Sequence, residues 1–429
     1  MVLSARQESS RRLLYERWLA TAKINATRLA VREGEKAWTF QELNERLAGE
    51  PPAPGPAFLQ GRTVAFILQT LRAWRDGQIG VPLEDDATFD LATATLDEAP
   101  PETVHLKTTS GSSGAPRHIL FTAEQLGADA DQIVTTMGLR PEWPNIGAIS
   151  LAHSYGFSNL VLPLVLHGIP LVLVPNPLPE SMRQALGQIE SATVPGVPAM
   201  WRSWHAAGLI DQKIKLAISA GAPLPTSLEH EVFDTCGVKI HNFLGASECG
   251  GIAYDRSDSP READTTYVGG AMDGVKLEVD GALRVTSPAV GLSYWPEPDS
   301  ALRNGTFLTS DLVSLKGNDV QWLGRADDVM NLAGRKLHPA EIENVISAIP
   351  GVLHCVVFGV PSDRDGRAEE IAACVHLADD TGLAQVKLGI ANRLPAWKQP
   401  RHWRIAANLA PDARGKTSRS RWRAWFLEG

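Results

Sequence analysis

The segment KLAISAGAPLPTSLEHEVFDTCGVKIHNFLGASE, residues 215–248, limits the folds open to this chain more than any other. A short apolar strand runs into a glycine-bearing loop, then a helix, a glycine stop and a second apolar strand. The same order returns in RTVAFILQTLRAWRDG followed by QIGVPL, and in SNLVLPLVLHG followed by IPLVLVPN. Strands this short and apolar have no solvent face, so they belong in a sheet covered by helices. The class is therefore α/β, with buried and largely parallel sheet.

At 429 residues the chain exceeds one ordinary core, and two or more domains are expected. Its texture changes twice. From about Tyr267, VKLEVDGALRVTSP reads as a hairpin turned at Asp280–Gly281 and marks a β-rich subdomain. Near Gly324 a third region begins. There HPAEIENVISAI reads as a helix with proline in its first turn, HCVVFGV and EEIAACVHL as strands, and GLAQVKLGIANRL as a helix. We expect a large N-terminal domain of layered sheets and helices over residues 1–324. A small α+β C-terminal domain over 325–429 follows, joined at the charged stretch GRADD.

An apolar share of 44% and a charged share of 21% are those of a soluble globular protein. The net charge of −8 argues against a broad nucleic-acid-binding surface and leaves room for a local cationic site. Residues 401–429 hold seven Arg/Lys against two acids, interleaved with Trp403, Trp422 and Trp425. An exposed helix face plus one phosphate-facing lysine accounts for that tail without nucleic acid. The four cysteines are scattered, with neither disulfide nor metal-ligand spacing. The N-terminus has no apolar signal core. The longest apolar stretch, LVLPLVLHGIPLVLV, is broken by Pro163, His167, Gly168 and Pro170, and falls short of the roughly 20 residues of a membrane span. A cytoplasmic protein is expected.

Chemistry concentrates first in LKTTSGSSGAPRHILFT, residues 106–122. Glycines let backbone N–H groups turn inward as an anion nest, hydroxyls add donors, and Arg117 adds a fixed positive charge. By itself the stretch suits either a phosphate cradle or a flexible linker. A rival, APDARGKT at 410–417, is similar to a relaxed Walker A loop with Ala410 in place of the first glycine. That motif needs further strands for a magnesium-binding acid, and only twelve residues follow Thr417.

Both loops have a place in one family. TSGSSGAPR resembles the phosphate loop of the acyl-adenylate-forming superfamily, which includes acyl-CoA synthetases, aryl-acid ligases, peptide-synthetase adenylation domains and luciferases. AHSYGF resembles its His-x-aromatic-Gly segment, with His153, Tyr155 and Gly156. ISAGAPL matches the adenine loop at Gly221, Ala222 and Pro223, and FLGASECG resembles Tyr-Gly-x-Thr-Glu, with Gly245, Ser247 and Glu248. FLTSD resembles Thr-Gly-Asp and ends in Asp311. GRADDVMNLAGRKLHPAEIE is similar to the hinge motif, with Gly324, Arg325, Asp327, Gly334, Pro339 and Glu341, and GKTSR supplies the terminal Gly415–Lys416. Seven motifs in the family's order, from about residue 106 to 419, carry the resemblance. The first hundred residues fit more loosely, through AWTFQELNERLA and RAWRDGQIGVPL.

The resemblance implies an ATP-dependent carboxylic acid–thiol ligase with a large N-terminal domain and a mobile C-terminal one. A carboxylate attacks the α-phosphorus of ATP, releasing pyrophosphate, and a thiol then displaces AMP from the acyl-adenylate. Thr109, Ser110, Gly111, Ser112, Ser113, Gly114 and Arg117 would hold the β/γ-phosphates. Glu248 would ligate Mg²⁺, a hard cation suited to carboxylate and phosphate oxygens. Gly221, Ala222, Pro223, Leu244, Gly245 and Ser247 would frame the adenine. Asp311 would accept from the ribose hydroxyls beside Arg325, and Lys336 would meet the AMP phosphate. Lys416 would bridge the reacting carboxylate and the α-phosphate as a compact charge. Tyr155, Gly156, Phe157, Ser219, Ala220 and Ala246 would line the acyl pocket, with His153 beside it. Asp327 would be the hinge, and Gly334 would line the path of the thiol, either coenzyme A or the phosphopantetheine of an acyl carrier protein. The acid would be a small aryl or short acyl acid.

Four positions depart from the family pattern. Arg117 stands where lysine is usual, Leu244 where tyrosine is, Ser310 where glycine is, and Pro411 is one residue closer to the lysine. None removes an ionisable group that the chemistry needs. The alternatives from other classes are a P-loop phosphotransferase and a catalytically silent adenylate-binding protein.

Overall fold

An eleven-stranded sheet runs through the larger unit. The computed structural model describes residues 5–52, 55–84, 96, 98–109, 117–263, 265–332, 335–362, 369–410 and 417–428. Six central strands of this sheet are parallel: Leu29–Glu33, Leu171–Leu173, Asn145–Gly147, Ala192–Gly196, Ile214–Ser219 and Ile240–Ala246. Antiparallel strands continue it at both ends: Lys36–Thr39 on one side, and Gly250–Tyr254, Tyr267–Ala271, Asp319–Arg325 and Asp311–Lys316 on the other. The parallel sheet expected from the strand–helix alternation is thus its middle. The change of direction at Ile240–Ala246 creates the turn that carries Glu248.

A five-stranded sheet lies beside it, in the order Ser293–Trp295, His118–Phe121, His105–Thr108, Gly80–Leu83, Ala57–Gln60. A four-stranded antiparallel sheet holds the hairpin Lys276–Asp280/Ala282–Thr286, closed by Gly281 at φ +69°. Local chemistry sets the helix starts. Thr39 and Glu42 form a capping box for Phe40–Ala48, and Thr122 and Gln125 form one for Ala123–Met137, which Gly138 ends in the left-handed conformation.

The largest core gathers Trp18, Phe40, Phe66, Trp74, Phe121 and Phe157 with both large sheets. A second packs Trp201, Trp204, Leu228 and Val232 on the other face of the parallel strands. Burying this many aromatic and aliphatic side chains is the main favourable term in such a fold.

The smaller unit has its own cores. A ribbon of Met330–Leu332 and Arg335–Leu337 leads to helix Pro339–Ser347. Strands Val352–Pro361, Glu369–Leu377 and His402–Ile405 form a sheet, with helices Leu383–Ala391 and Arg419–Glu428. Met330, Ile342, Val357 and Ile390 fill one face, and Val356, Phe358, Leu409 and Trp422 the other. Between Val320, in the large core, and Met330, in the small one, only the strand end and the turn Ala326–Asp328 intervene. No helix among the described residues is long and apolar enough to cross a membrane.

Candidate functional site

A cleft of about 2780 Å³ opens between the two units. The larger unit contributes loops at the carboxyl ends of the parallel strands, where open α/β sheets place their ligand sites.

The first wall is the turn after Ile214–Ser219. Gly221 takes φ +84° there, a conformation that disfavours side chains, and Ala220, Gly221, Ala222 and Pro223 all face the cleft. Ser219 itself is fully buried, outside the cleft lining. The turn is braced from behind: Arg261 Nη2 donates to Leu224 O at 2.8 Å, and Arg261 Nε to Glu229 Oε2 at 2.8 Å.

Leu244, Gly245, Ala246, Ser247 and Glu248 form the next wall. A Cβ on Gly245 would lie 2.9 Å from Gly250 O, so a hydrogen there lets the two strands close. Ser247 Oγ accepts from Ser154 Oγ at 2.7 Å, which ties this turn to the His153 segment. Glu248 Oε1 accepts from the Tyr294 hydroxyl at 3.0 Å. Burial and the Glu248 carboxylate both push the Tyr294 phenol up, so it stays a donor.

His153 caps the short helix Ser154–Gly156, its Nδ1 accepting from Tyr155 N at 3.3 Å. Tyr155 faces the cleft, 6.0 Å between ring centres from Phe243, and its hydroxyl donates to Gly196 O at 3.4 Å. Gly156 is obligatory, because a Cβ would fall 1.9 Å from Ser150 O. Phe157 turns away from the cleft. It is buried in the large core, stacked on His105 at 4.2 Å.

Asp311 and Arg325 sit opposite each other on paired strands. Asp311 Oδ1 accepts from Trp322 Nε1 at 3.0 Å, while Arg325 donates to Ser310 Oγ from Nε at 3.0 Å and from Nη2 at 2.5 Å. Ser310 thus gives Arg325 a partner that glycine would not. Of the segment expected to cradle phosphates, the structure describes the two ends. Thr109 N donates to Arg117 O at 2.8 Å, and Arg117 N to Thr109 Oγ1 at 2.9 Å. Ser110, Gly111, Ser112, Ser113 and Gly114 lie outside the described residues, as do Gly334 and Lys416.

From the smaller unit, Asp327 lines the cleft in the turn Ala326–Asp328. Lys336 is exposed on the ribbon, outside the cleft lining. Arg419 fastens the terminal helix, donating to both Glu343 carboxylate oxygens at 2.8 Å, to Val357 O at 2.8 Å, and to Asp328. Thr417, Ser418 and Arg419 reach the cleft.

Sequence reasoning missed Tyr294, Trp322, Arg419 and Asp299, whose Oδ2 accepts from Arg117 Nη2 at 3.0 Å. Each acts on a residue of another element, so local spacing gave no sign of it. Among the described residues no group of three His, Cys, Asp or Glu forms a ready-made metal cage. The Glu248 carboxylate, which lines the cleft, fits Mg²⁺, a hard cation that takes most of its ligands from phosphate and water.

Comparison with known proteins comes down on one family. Residues 66–291 match the family described as AMP-binding enzyme, and residues 341–416 its C-terminal domain. The chain is 24% identical to a feruloyl-CoA synthase of Amycolatopsis sp, over 92% of this chain and 95% of that one. In fold it is similar to ATP-bound MatB from Rhodopseudomonas palustris, with a TM-score of 0.85, 20% identity and coverage of 97% and 99%. It is also similar to o-succinylbenzoate CoA synthetase from Bacillus subtilis in complex with its acyl-adenylate intermediate, with a TM-score of 0.80, 19% identity and coverage of 95% and 97%.

Proposed function

The chain belongs to the AMP-binding enzyme family, and from that premise we propose that it joins a carboxylic acid to a thiol at the expense of ATP, through an acyl-adenylate. The observation that carries this is convergence. His153–Tyr155, Gly221–Pro223, Leu244–Glu248, Asp311 and Arg325 come from distant parts of the chain and share one cleft.

In the first half-reaction an anion attacks a polyanion, so the site must orient both and cancel charge. The turn at Gly221 and the wall at Leu244–Ser247 take the adenine, Leu244 offering an aliphatic surface. Asp311, held from behind by Trp322, keeps its other oxygen for the ribose diol. Arg117 and the loop that it closes take the β/γ-phosphates. Glu248 would hold Mg²⁺, which neutralises phosphate charge when bound. Lys416 aligns the carboxylate with the α-phosphorus, and its segment is tethered to the small unit through Arg419. The carboxylate oxygen bonds to phosphorus as the bond to pyrophosphate breaks. In the second half-reaction the thiol sulfur bonds to the acyl carbon and AMP leaves. We place the hinge at Asp327 and the thiol's path beside Gly334.

The acid pocket lies between Tyr155, Phe243 and Ala220, where two aromatic faces suit a planar ring. Relatives named for feruloyl and o-succinylbenzoate acids point the same way. We assign an aryl acid and coenzyme A, in a cytoplasmic setting, with carrier-protein phosphopantetheine as the acceptor to test beside it.

The test is acid-dependent exchange between ATP and pyrophosphate over a panel of aryl and aliphatic acids. Acid-dependent exchange is expected, with AMP released once the thiol is added. Formation of ADP would support a phosphotransferase instead, and no exchange by folded protein with Mg²⁺ would support a silent binder. Lys416→Ala should slow adenylation by about 10²–10³-fold, the scale set by removing one preorganised charge-stabilising group, while AMP still binds.

A further inference from the structure

The phosphate end of the site holds a second layer that the reaction scheme does not use. The Arg117 guanidinium carbon lies 3.4 Å from the centre of the Tyr294 ring. Its Nη2 donates to Asp299 Oδ2 at 3.0 Å. The hydroxyl of the same ring donates to Glu248 Oε1 at 3.0 Å. One phenol therefore carries a cation on its face and a carboxylate at its tip.

The backbone makes this arrangement stiff. Strand Ser293–Trp295 pairs with His118–Phe121, Tyr294 opposite Ile119, and His118 directly follows Arg117. Tyr294 is 4% exposed. Asp299 is also fixed, its Oδ1 accepting from Ala301 N at 2.9 Å. That bond, and then Arg117, hold its carboxyl below the usual range. The Arg117–Asp299 pair is different: its two side chains are 43% and 40% exposed. An ion pair this open is weak and readily exchanged for a stronger anion. A planar guanidinium can also stay on the ring while its free edge changes partner, which lysine's ammonium cannot do.

We propose that Tyr294 is a positioning residue that sets Arg117 and Glu248 at a fixed separation, and that Asp299 occupies on Arg117 the seat taken by a terminal phosphate of ATP. Resting on the nucleotide site proposed above, this assigns Arg117 a reason to be arginine. ATP displaces Asp299 from the guanidinium. AMP, which lacks the β/γ-phosphates, leaves the pair intact.

The test compares ATP with AMP by calorimetric titration of the full chain, with Mg²⁺ and without acid. Asp299→Asn should tighten ATP binding by up to about fivefold, the span of an exposed ion pair, and leave AMP unchanged. Arg117→Ala in the same background should abolish that gain. Tyr294→Phe keeps the ring and removes the hydroxyl. It should weaken ATP binding about tenfold at limiting Mg²⁺, as loss of a hydrogen bond to a charged group does, with AMP again unaffected. Equal shifts for ATP and AMP, or no shift in Asp299→Asn, would overturn the inference while leaving the nucleotide site in place. Failure of the unmodified chain to bind either nucleotide would overturn both.

Discussion

Behind the wall at Gly221–Pro223, four charged side chains are buried together, and behind the phosphate-side wall there are two. In the first group Lys239 meets Glu229 and lies 2.7 Å from Asp255, while Arg261 donates to Glu229 from its side chain at 2.8 Å and from its backbone at 2.9 Å. Asp255 accepts further from Ser257, and Arg261 also donates to Tyr267 O from Nη1 and to Leu224 O from Nη2. Two acids balance two bases. In the second group Lys107 Nζ reaches Asp129 Oδ2 and Ser158 Oγ, each at 3.0 Å, and Ser158 donates to the same carboxylate oxygen. Asp129 Oδ1 has no hydrogen-bond partner among the described residues. The first group is a finished clamp that joins the helix Thr226–Cys236 to the residues flanking the strands Ile240–Ala246 and Gly250–Tyr254 and to the loop of Arg261. The second is a minimal pair with one hydroxyl, its lysine on the strand His105–Thr108 that leads to Thr109.

The largest expected effect comes from breaking the clamp. Glu229→Gln leaves Lys239 and Arg261 with Asp255 as the one remaining buried acid, and should cost about 3–5 kcal/mol of stability in urea unfolding, the cost of orphaning a buried charge. A loss near zero would mean that the network is dispensable. Lys107→Met should cost about 3 kcal/mol, because Asp129 is then buried without a cation. Adding Asp129→Leu should recover most of that loss, since a simple pair is readily replaced by apolar side chains. If the double variant is no better than the single one, the two clusters are more alike than their hydrogen bonds indicate.

The same contrast shows what could be read from the amino-acid order. Strand–helix alternation and glycine punctuation are local, so the layered fold and the turns bearing Gly221 and Glu248 were legible; Asp311 instead opens the strand Asp311–Lys316. The bracing was not. Tyr294 reaches Glu248 across 46 residues and Arg117 reaches Asp299 across 182, and no period links such positions. Phe157 shows the opposite failure. It shares a motif with His153 and Tyr155, yet a single turn of helix rotates it into the core. One signal is present: a lysine inside the apolar strand VHLKT cannot be buried alone, so Lys107 implies an acid brought to it from elsewhere in the chain.

Acidity offers a smaller effect, at the buried ring of His105. His105 is fully buried, and burial first, then nearby Lys107, hold its pKa well below the ordinary 6.5. Above pH 6.5 the ring is neutral in both folded and unfolded chains. Below it only the unfolded chain takes up the proton, so stability falls as pH falls, by up to about 1.4 kcal/mol per pH unit. His105→Leu should flatten the urea midpoint between pH 6.5 and 5.5. An unchanged slope would assign the acid sensitivity to other groups.

The smallest predicted change separates the two ends of the cleft. Trp322 donates to Asp311 Oδ1 at 3.0 Å, which leaves Asp311 one carboxylate oxygen for the ribose proposed to bind there. Trp322→Phe removes the donor and keeps an aromatic body in place, so the carboxylate gains freedom that nucleotide binding must then withdraw. A loss of about 1 kcal/mol, or roughly fivefold in affinity, is expected from one such bond. Because every adenine nucleotide brings the same ribose, ATP and AMP should weaken together. Asp299→Asn, at the far end, should move ATP alone. If Trp322→Phe also distinguishes the two nucleotides, then Asp311 senses the phosphates as well as the sugar, and the division of the cleft into a rigid base-and-ribose end and an exchangeable phosphate end fails.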